Sequence, residues 1–232
     1  MTDLSIVRVE RLDLAFAPRP WPFAHQRRDE IARHFAAVQR KNPALWNGQI
    51  LLLHDHAVED GVFRGAYLEC DFASFIAWRD WDFPDTAVRN CFAMGVLQSS
   101  DGAFVLGVMG THTANAGKIY FPGGTPEPRD VIGGSVDLTR NMLRELTEET
   151  GIAAGELELT DGWYIVLDGP RIALLKIAHA RETAEVLRTR ILDHLAREPQ
   201  PELSGVRIVR RRADLDPMMP GYVVAFLEYL WR

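Results

Sequence analysis

The stretch Arg144-Glu145-Leu146-Thr147-Glu148-Glu149-Thr150-Gly151-Ile152 constrains this chain more than any other. On an α-helix each residue turns by about 100°. Glu145, Glu148 and Glu149 then share one sector, and Leu138, Met142, Leu143 and Leu146 fill the sector beside it. The apolar stripe demands a core to pack on. The carboxylate stripe demands compensation, because clustered like charges repel along a helix. A hard divalent cation compensates naturally, since Mg²⁺ takes carboxylate oxygens while keeping several of its waters. Arg144 stands one turn before Glu148 and can hold a carboxylate in place. Gly151 supplies a left-handed stop, and Ile152 starts the next apolar segment.

The rest of the chain suits a soluble globular protein. Its 232 residues are enough for one large domain or a core with an added segment. A net charge of −6 leaves no general basic footprint, so no nucleic-acid partner is expected. An anionic substrate would need locally placed cations, either metal or arginine. Cys70 and Cys91 form no CxxC pair and read as small buried hydrophobes in a reducing compartment. No apolar run approaches the length of a membrane span, and the N-terminus lacks a signal pattern. The expectation is a cytoplasmic protein with no membrane partner.

The pattern of apolar residues predicts a mixture of strands and helices. Leu4 to Phe16 reads as a strand, and Phe23 to Gln39 as a helix ended by Asn42-Pro43. Gln49 to Val58 and Val62 to Glu69 flank Glu59-Asp60-Gly61 as a hairpin. Asp71 can cap a short helix carrying Phe72, Phe75, Ile76 and Trp78. From about Thr86 a second block begins, with strands at Cys91–Leu97 and Phe104–Val108. A Gly/Pro-rich loop, Phe121 to Gly134, leads into a helix over Ser135–Thr150. Strands follow at Leu157–Leu167 and Ile172–Ile177, then a helix at Arg181–Arg197, a strand at Val206–Val209 and a last helix at Tyr222–Trp231. This order predicts an α/β sandwich in residues 87–232, preceded by an α+β segment in residues 1–86.

Arg144 to Ile152 matches REUxEExGU, with U a bulky aliphatic, at every specified position. A chance match in a chain of this size is on the order of one in ten thousand. The segment resembles the core of the Nudix box, and Phe121-Pro122-Gly123-Gly124 resembles the turn that opens it. The resemblance implies a Nudix α/β/α sandwich with a mixed sheet. It also implies a hydrolase that splits the diphosphate linkage of a nucleoside diphosphate derivative with Mg²⁺, or Mn²⁺ in its place. Glu145, Glu148 and Glu149 would bind the metal, with the Gly124 carbonyl as a further ligand. A glutamate would act as base: Glu149 on the box helix, or Glu202, with Glu198 behind it, on a later loop. Arg144 would orient the carboxylates.

One departure stands out. The interval from Gly124 to Arg144 is stretched by an insertion of about six residues within Glu127 to Gly134. The box glutamate expected eight residues before Arg144 is Val136, which points away from the carboxylate stripe. Asp137 lies nearer the Arg144 direction, and the expectation is that it takes over the orienting role.

Other candidates carry less. His54-Asp55-His56 could offer a metal pair but has no third ligand nearby, so packing is the better reading. Gly107 to Gly117 lacks the P-loop arrangement. Arg210-Arg211-Arg212 could touch phosphate but reads as a solvated run. Trp78 and Trp81 read as core aromatics that could instead stack on a base or sugar. Asn42 to Gly48, Asp71 to Phe75 and Pro122 to Pro128 resemble segments of the animal UDP-sugar diphosphatases among Nudix enzymes. ADP-ribose and coenzyme A derivatives are the alternative substrates, and a non-catalytic nucleotide-binding module is the alternative class. Residues 1–86 are too rich in aromatics to be a tail. They must bury them internally, against the second block or across a homodimer, and Asn47 or Trp78 could wall the substrate groove.

Overall fold

A computed structural model describes residues 4–232. In chain order it contains β1 (Ser5–Val9), β2 (Arg11–Phe16), α1 (Pro22–Gln26), α2 (Arg28–Lys41), β3 (Gln49–Glu59), β4 (Val62–Asp71), α3 (Phe72–Asp80), β5 (Asn90–Gln98), β6 (Phe104–Met109), β7 (Ile119–Tyr120), β8 (Gly123–Gly124), β9 (Val131–Ile132), β10 (Ser135–Val136), α4 (Leu138–Thr150), β11 (Leu157–Leu159), β12 (Trp163–Asp168), β13 (Arg171–Ala180), α5 (Ala184–Leu195), β14 (Leu203–Val209) and α6 (Gly221–Leu230).

The strands form two sheets. The larger runs β1-β12-β13-β5-β6-β14, with β11, β7 and β8 added alongside; the smaller runs β3-β4-β2-β10-β9. The larger sheet is mixed, because β13 and β5 at its centre run parallel while their neighbours pair antiparallel. Both central strands are buried on both faces, as a parallel pair requires.

Alternation along β5 sorts the layers. Phe92 points to α6, its ring 5.6 Å from that of Tyr222. Cys91 and Ala93 point the other way, into a core shared with Leu51, Leu53, Phe63 and Tyr67 of the smaller sheet and Met142 of α4. Gly95 lies on the same side as Cys91 and Ala93, where a β-carbon would come within 2.6 Å of Leu146. Its missing side chain lets α4 lie close on the strand. Along β3, Ile50 and Leu52 face the opposite way from Leu51 and Leu53, into a third core with Phe35, Phe75 and Trp78. Helices, the small sheet, the large sheet and α6 thus stack in layers, with α5 beside α4 and against β14. The mixed α/β sandwich expected from the sequence is the architecture found.

Several boundaries differ from expectation. Leu4 to Phe16 is two strands in different sheets: β1 pairs with β12, and β2 runs parallel to β4. The chain changes sheets at Glu10, whose N–H donates to the Gly61 carbonyl at 2.6 Å. The two sheets therefore do not divide at residue 86. The helix expected over Phe23–Gln39 breaks at Arg27, which leaves helical geometry at φ −109° and ψ 20°. The long strand expected at Leu157–Leu167 is interrupted by Gly162 at φ +69°. Asp71 caps α3 as expected, accepting from the Ser74 N–H at 2.8 Å. No helix among the described residues is long and apolar enough to cross a membrane.

Cys70 and Cys91 are both free and buried. Burial pushes the Cys91 thiol up to about 12, and raises that of Cys70 as well. Thiolate is the reactive form. Neither cysteine should therefore react with a disulfide reagent in the native protein at pH 8, whereas both should react in guanidinium. Rapid native labelling would contradict this packing.

Candidate active site

The carboxylates lie where α4 faces the loop between α5 and β14. Asp137 starts the helix, accepting from the Arg140 N–H at 2.9 Å, and Gly151 ends it at φ +70°. A β-carbon at Gly151 would meet the His194 ring at 2.7 Å. His194 in turn donates to the Glu148 carbonyl at 3.0 Å and so ties α5 to the last turn of α4. The chain leaving α5 then passes the glutamates, and Gly110 holds it by donating to the Glu202 carbonyl at 2.7 Å.

Glu145, Glu148, Glu149, Glu198 and Glu202 consequently line one cavity of about 100 Å³. The carboxylate cluster is not the exposed stripe that helix geometry alone suggests. Glu149 is 5% exposed, and the Glu145 side chain 14%. Glu148 stays half open. Burial pushes the Glu145 carboxyl up to about 7, aided by the charges of Glu148 and Glu202 and opposed by Arg144. Burial likewise raises Glu149 well above the usual range, with Glu145 and Glu202 adding to it, although the Gly123 N–H donates to its Oε1 at 3.4 Å.

Arg144 carries the balancing charge. Its Nη1 lies 2.7 Å from Glu145 Oε1 and 3.0 Å from Glu148 Oε2. Its Nη2 lies 3.3 Å from Asp130 Oδ2. The Arg144 partner is therefore Asp130, not Asp137, whose side chain is spent on the cap. Val136 points into the core, as its helix direction implied, but from strand β10: α4 begins at Leu138 rather than Ser135. Sequence reasoning missed Asp130. A signal was present, because Gly133-Gly134 between Val131-Ile132 and Val136 is the pattern of a tight hairpin, which turns the insertion back on itself.

Two glycines shape the opposite wall. A β-carbon at Gly123 would collide with the Ala93 carbonyl, so the backbone can approach β5 only as glycine. At Gly124 it would meet the Glu145 carboxyl at 3.0 Å, which places this backbone against the glutamate.

Among the described residues no group of three or more His, Cys, Asp or Glu side chains is gathered closely enough to hold a metal ion by itself. A magnesium site does not require one, since this ion is usually held by one or two carboxylates together with substrate phosphates and waters. The donor set fits such an ion. It consists of hard oxygens, it holds more negative charge than Arg144 offsets, and Glu149 Oε2 is buried with no hydrogen-bond partner. Such an orphaned acceptor is costly unless something bonds to it.

The other sequence candidates resolve as packing. His54 Nε2 bonds the Ala17 carbonyl at 3.0 Å. Arg210 pairs with Asp101 at 2.6 Å, and Arg212 with Glu228 at 3.2 Å. Trp78 is fully buried, donating to the Asp85 carbonyl at 2.8 Å, and Trp81 lies under the Arg27 guanidinium. Asn47 accepts from the Ala73 N–H at 2.7 Å at the start of α3. Trp78 is therefore not available to wall a groove, whereas Asn47 is exposed and lines a separate cleft with α1, α2 and α3 that contains none of the α4 glutamates.

No family model matches the chain, and no curated protein matches it. Among solved structures, it is similar to a Nudix hydrolase from M. smegmatis, RenU, at 17% identity over 61% of this chain and 81% of that one, with a TM-score of 0.39. It is also similar to a MutT protein from Methanosarcina mazei Go1, at 19% identity over 62% and 94% with a TM-score of 0.42. The Bacillus subtilis pyrophosphohydrolase BsRppH aligns at 16% identity over 65% and 84%, with a TM-score of 0.36. These scores describe a loose likeness, and the reading of the site rests on its own residues.

Replacing Asp137 by alanine should cost about 1 kcal/mol of stability, the usual cost of a lost helix cap. Divalent-cation affinity should stay as it is. Denaturant unfolding and a Mn²⁺ titration measure the two, and a loss of affinity without loss of stability would restore Asp137 as the partner of Arg144.

Proposed function

We propose that this chain is a Nudix-type hydrolase that cleaves the diphosphate linkage of a nucleoside diphosphate joined to a second moiety, with Mg²⁺ or Mn²⁺ as cofactor. The observation that carries this reading is the cavity in which Glu145, Glu148 and Glu149 meet Glu202, with an unpartnered buried oxygen on Glu149. Glu145, Glu148 and Glu149 are the proposed metal ligands, together with the Gly124 carbonyl. A bound divalent cation neutralises the diphosphate and polarises phosphorus toward attack by water.

The chain's own residues do the rest. Arg144 bridges Glu145 and Glu148 through one guanidinium nitrogen and so fixes their spacing. The Gly123 N–H fixes one oxygen of Glu149 and leaves the other free toward the cavity. Glu202 is the proposed base, accepting the proton of the attacking water on its carboxylate oxygen. It is preferred to Glu149 because it stands exposed at the cavity, where water arrives, whereas Glu149 is enclosed.

The second moiety of the substrate is proposed to be a sugar, on the UDP-sugar-like segments at Asn42–Gly48, Asp71–Phe75 and Pro122–Pro128. Asn47 and Asp71 support the start of α3, so ADP-ribose and coenzyme A derivatives are tested beside UDP-sugars. A screen of these compounds with Mg²⁺, reading the released phosphate products, tests the function. Tight binding without turnover of any of them would instead favour a non-catalytic nucleotide-binding module.

Two variants separate ligand from base. Glu149→Gln should lower kcat by about a hundredfold or more and weaken Mn²⁺ binding, since metal placement supplies several kcal/mol of transition-state stabilisation. Its melting temperature without metal should equal or exceed that of the wild type, because glutamine fills the site with no ionisable group where burial, Glu145 and Glu202 all disfavour the charged carboxylate. Glu202→Gln should lower kcat by a factor of about 10² to 10⁴ with Mn²⁺ affinity intact. Full turnover in both would rule out this mechanism.

A further inference from the structure

The segment between α2 and β3 holds an indole out into solvent. Trp46 is 80% exposed, more than any other large apolar residue among those described. The chain around it is pinned on both sides. Gln39 Nε2 donates to the Leu45 carbonyl at 2.9 Å, and the Ala73 N–H donates to Asn47 Oδ1 at 2.7 Å. The Phe72 N–H donates to the Gly48 carbonyl at 2.8 Å. The ring itself lies over Gly48, where a β-carbon would come within 2.7 Å of it. A side chain fixed in advance loses little entropy when something covers it, and tryptophan is enriched among the residues that carry association energy.

Beside this indole runs a cleft of about 430 Å³, between α2 on one side and the end of β4 with the start of α3 on the other. Ile31, Phe35, Cys70 and Ala73 give it an apolar floor. From Arg28 to Gln39 its α2 wall is about 16 Å long. The two ends differ in charge. Arg19, His25 and Arg28 stand where α2 begins. Glu69 and Asp71 stand with Asn47 where α2 finishes. Arg27 is paired with Glu30, but Arg28 meets no acid among the described residues. Arg40 and Lys41, the last residues of α2, do not line the cleft. A two-fold axis across such a cleft sets two copies end for end. The acidic end of each then faces the cationic end of its partner, which is the self-complementarity that an isologous interface requires. Trp46, beside the acidic end of one copy, reaches the apolar floor near the partner's Arg28, where a guanidinium over the indole adds a cation–π contact. We propose that this face is the interface of a homodimer, in which each copy's Trp46 docks in the cleft between α2 and β4 of the other.

The test is sedimentation equilibrium of the full chain over a range of micromolar concentrations. The wild type should sediment as a dimer. Trp46→Ala should raise the dimer dissociation constant about a hundredfold or more, the effect of removing a hot-spot residue from both halves of an interface. Its circular dichroism should match that of the wild type, since an exposed ring is being removed. Arg28→Glu and Glu69→Arg should each weaken the dimer about tenfold, because each brings like charges together across the axis. The two substitutions in one chain should restore it, because every facing pair is again of opposite sign. This charge exchange carries the test if Trp46→Ala does not fold. A monomeric wild type overturns the proposal, as does a Trp46→Ala variant that dimerises like the wild type. A doubly substituted chain no tighter than the single variants overturns it as well. A monomeric wild type that binds anilinonaphthalene sulfonate, and loses it in Arg28→Glu, makes the cleft a site for an organic anion instead.

Discussion

A single guanidinium, that of Arg144, is shared among Asp130, Glu145 and Glu148. The site depends on that sharing. Five glutamates line the cavity, two of them largely enclosed, and burial already drives Glu145 and Glu149 toward their neutral forms. One cation inside the protein cannot balance such a group. It can fix the positions of two carboxylates and leave the remaining charge to a ligand. A site that stores uncompensated negative charge beside an unbonded oxygen is prepared for a hard cation and the anion that the cation brings.

The arrangement needs close backbone approach on two sides. Gly95 lets Leu146 settle against β5, which draws α4 onto the sheet. Gly123 lets its own strand come near the β5 backbone, and Gly124 touches the Glu145 carboxyl. Side chains at these positions would push the helix and the turn apart. The third wall, bearing Glu198 and Glu202, is held by a histidine on the helix end and a single bond from Gly110. The geometry of the carboxylate cavity is set by backbone contacts as much as by the glutamates themselves.

The N-terminal layer is tied into this geometry. Its sheet shares a core with the larger one through Leu51, Leu53, Phe63 and Tyr67, and β1 is itself a strand of the larger sheet. Its helices reach the loop after β6, where Asn42 donates to the His112 carbonyl and Arg79 to that of Ala114. Its strand β2, paired with β4 on one side, receives on the other the hairpin that follows Asp130. Of the aromatic residues that made a tail implausible, Trp21, Phe23, Phe75 and Trp78 are buried between its helices and its sheet, Phe63 and Tyr67 between the two sheets, and Trp46 stays exposed.

The sequence by itself determined the helix, its stop at Gly151, the apolar stripe, the carboxylate cluster and most strands. These follow from local rules: helical angles, the left-handed demand of a stop, and alternation in strands. It also showed that the box was stretched and that Val136 could not replace the missing glutamate. Tertiary structure alone decided which acid answers Arg144. Helix angles pointed to Asp137, but a short side chain at a helix start is claimed by the free N–H of Arg140, whereas Asp130 arrives from outside the helix on a hairpin pinned to another sheet. It also decided that Glu149 is buried and that Glu202 faces it. Both depend on elements distant in the chain meeting across a packed core, and residue spacing along one helix carries no record of that meeting.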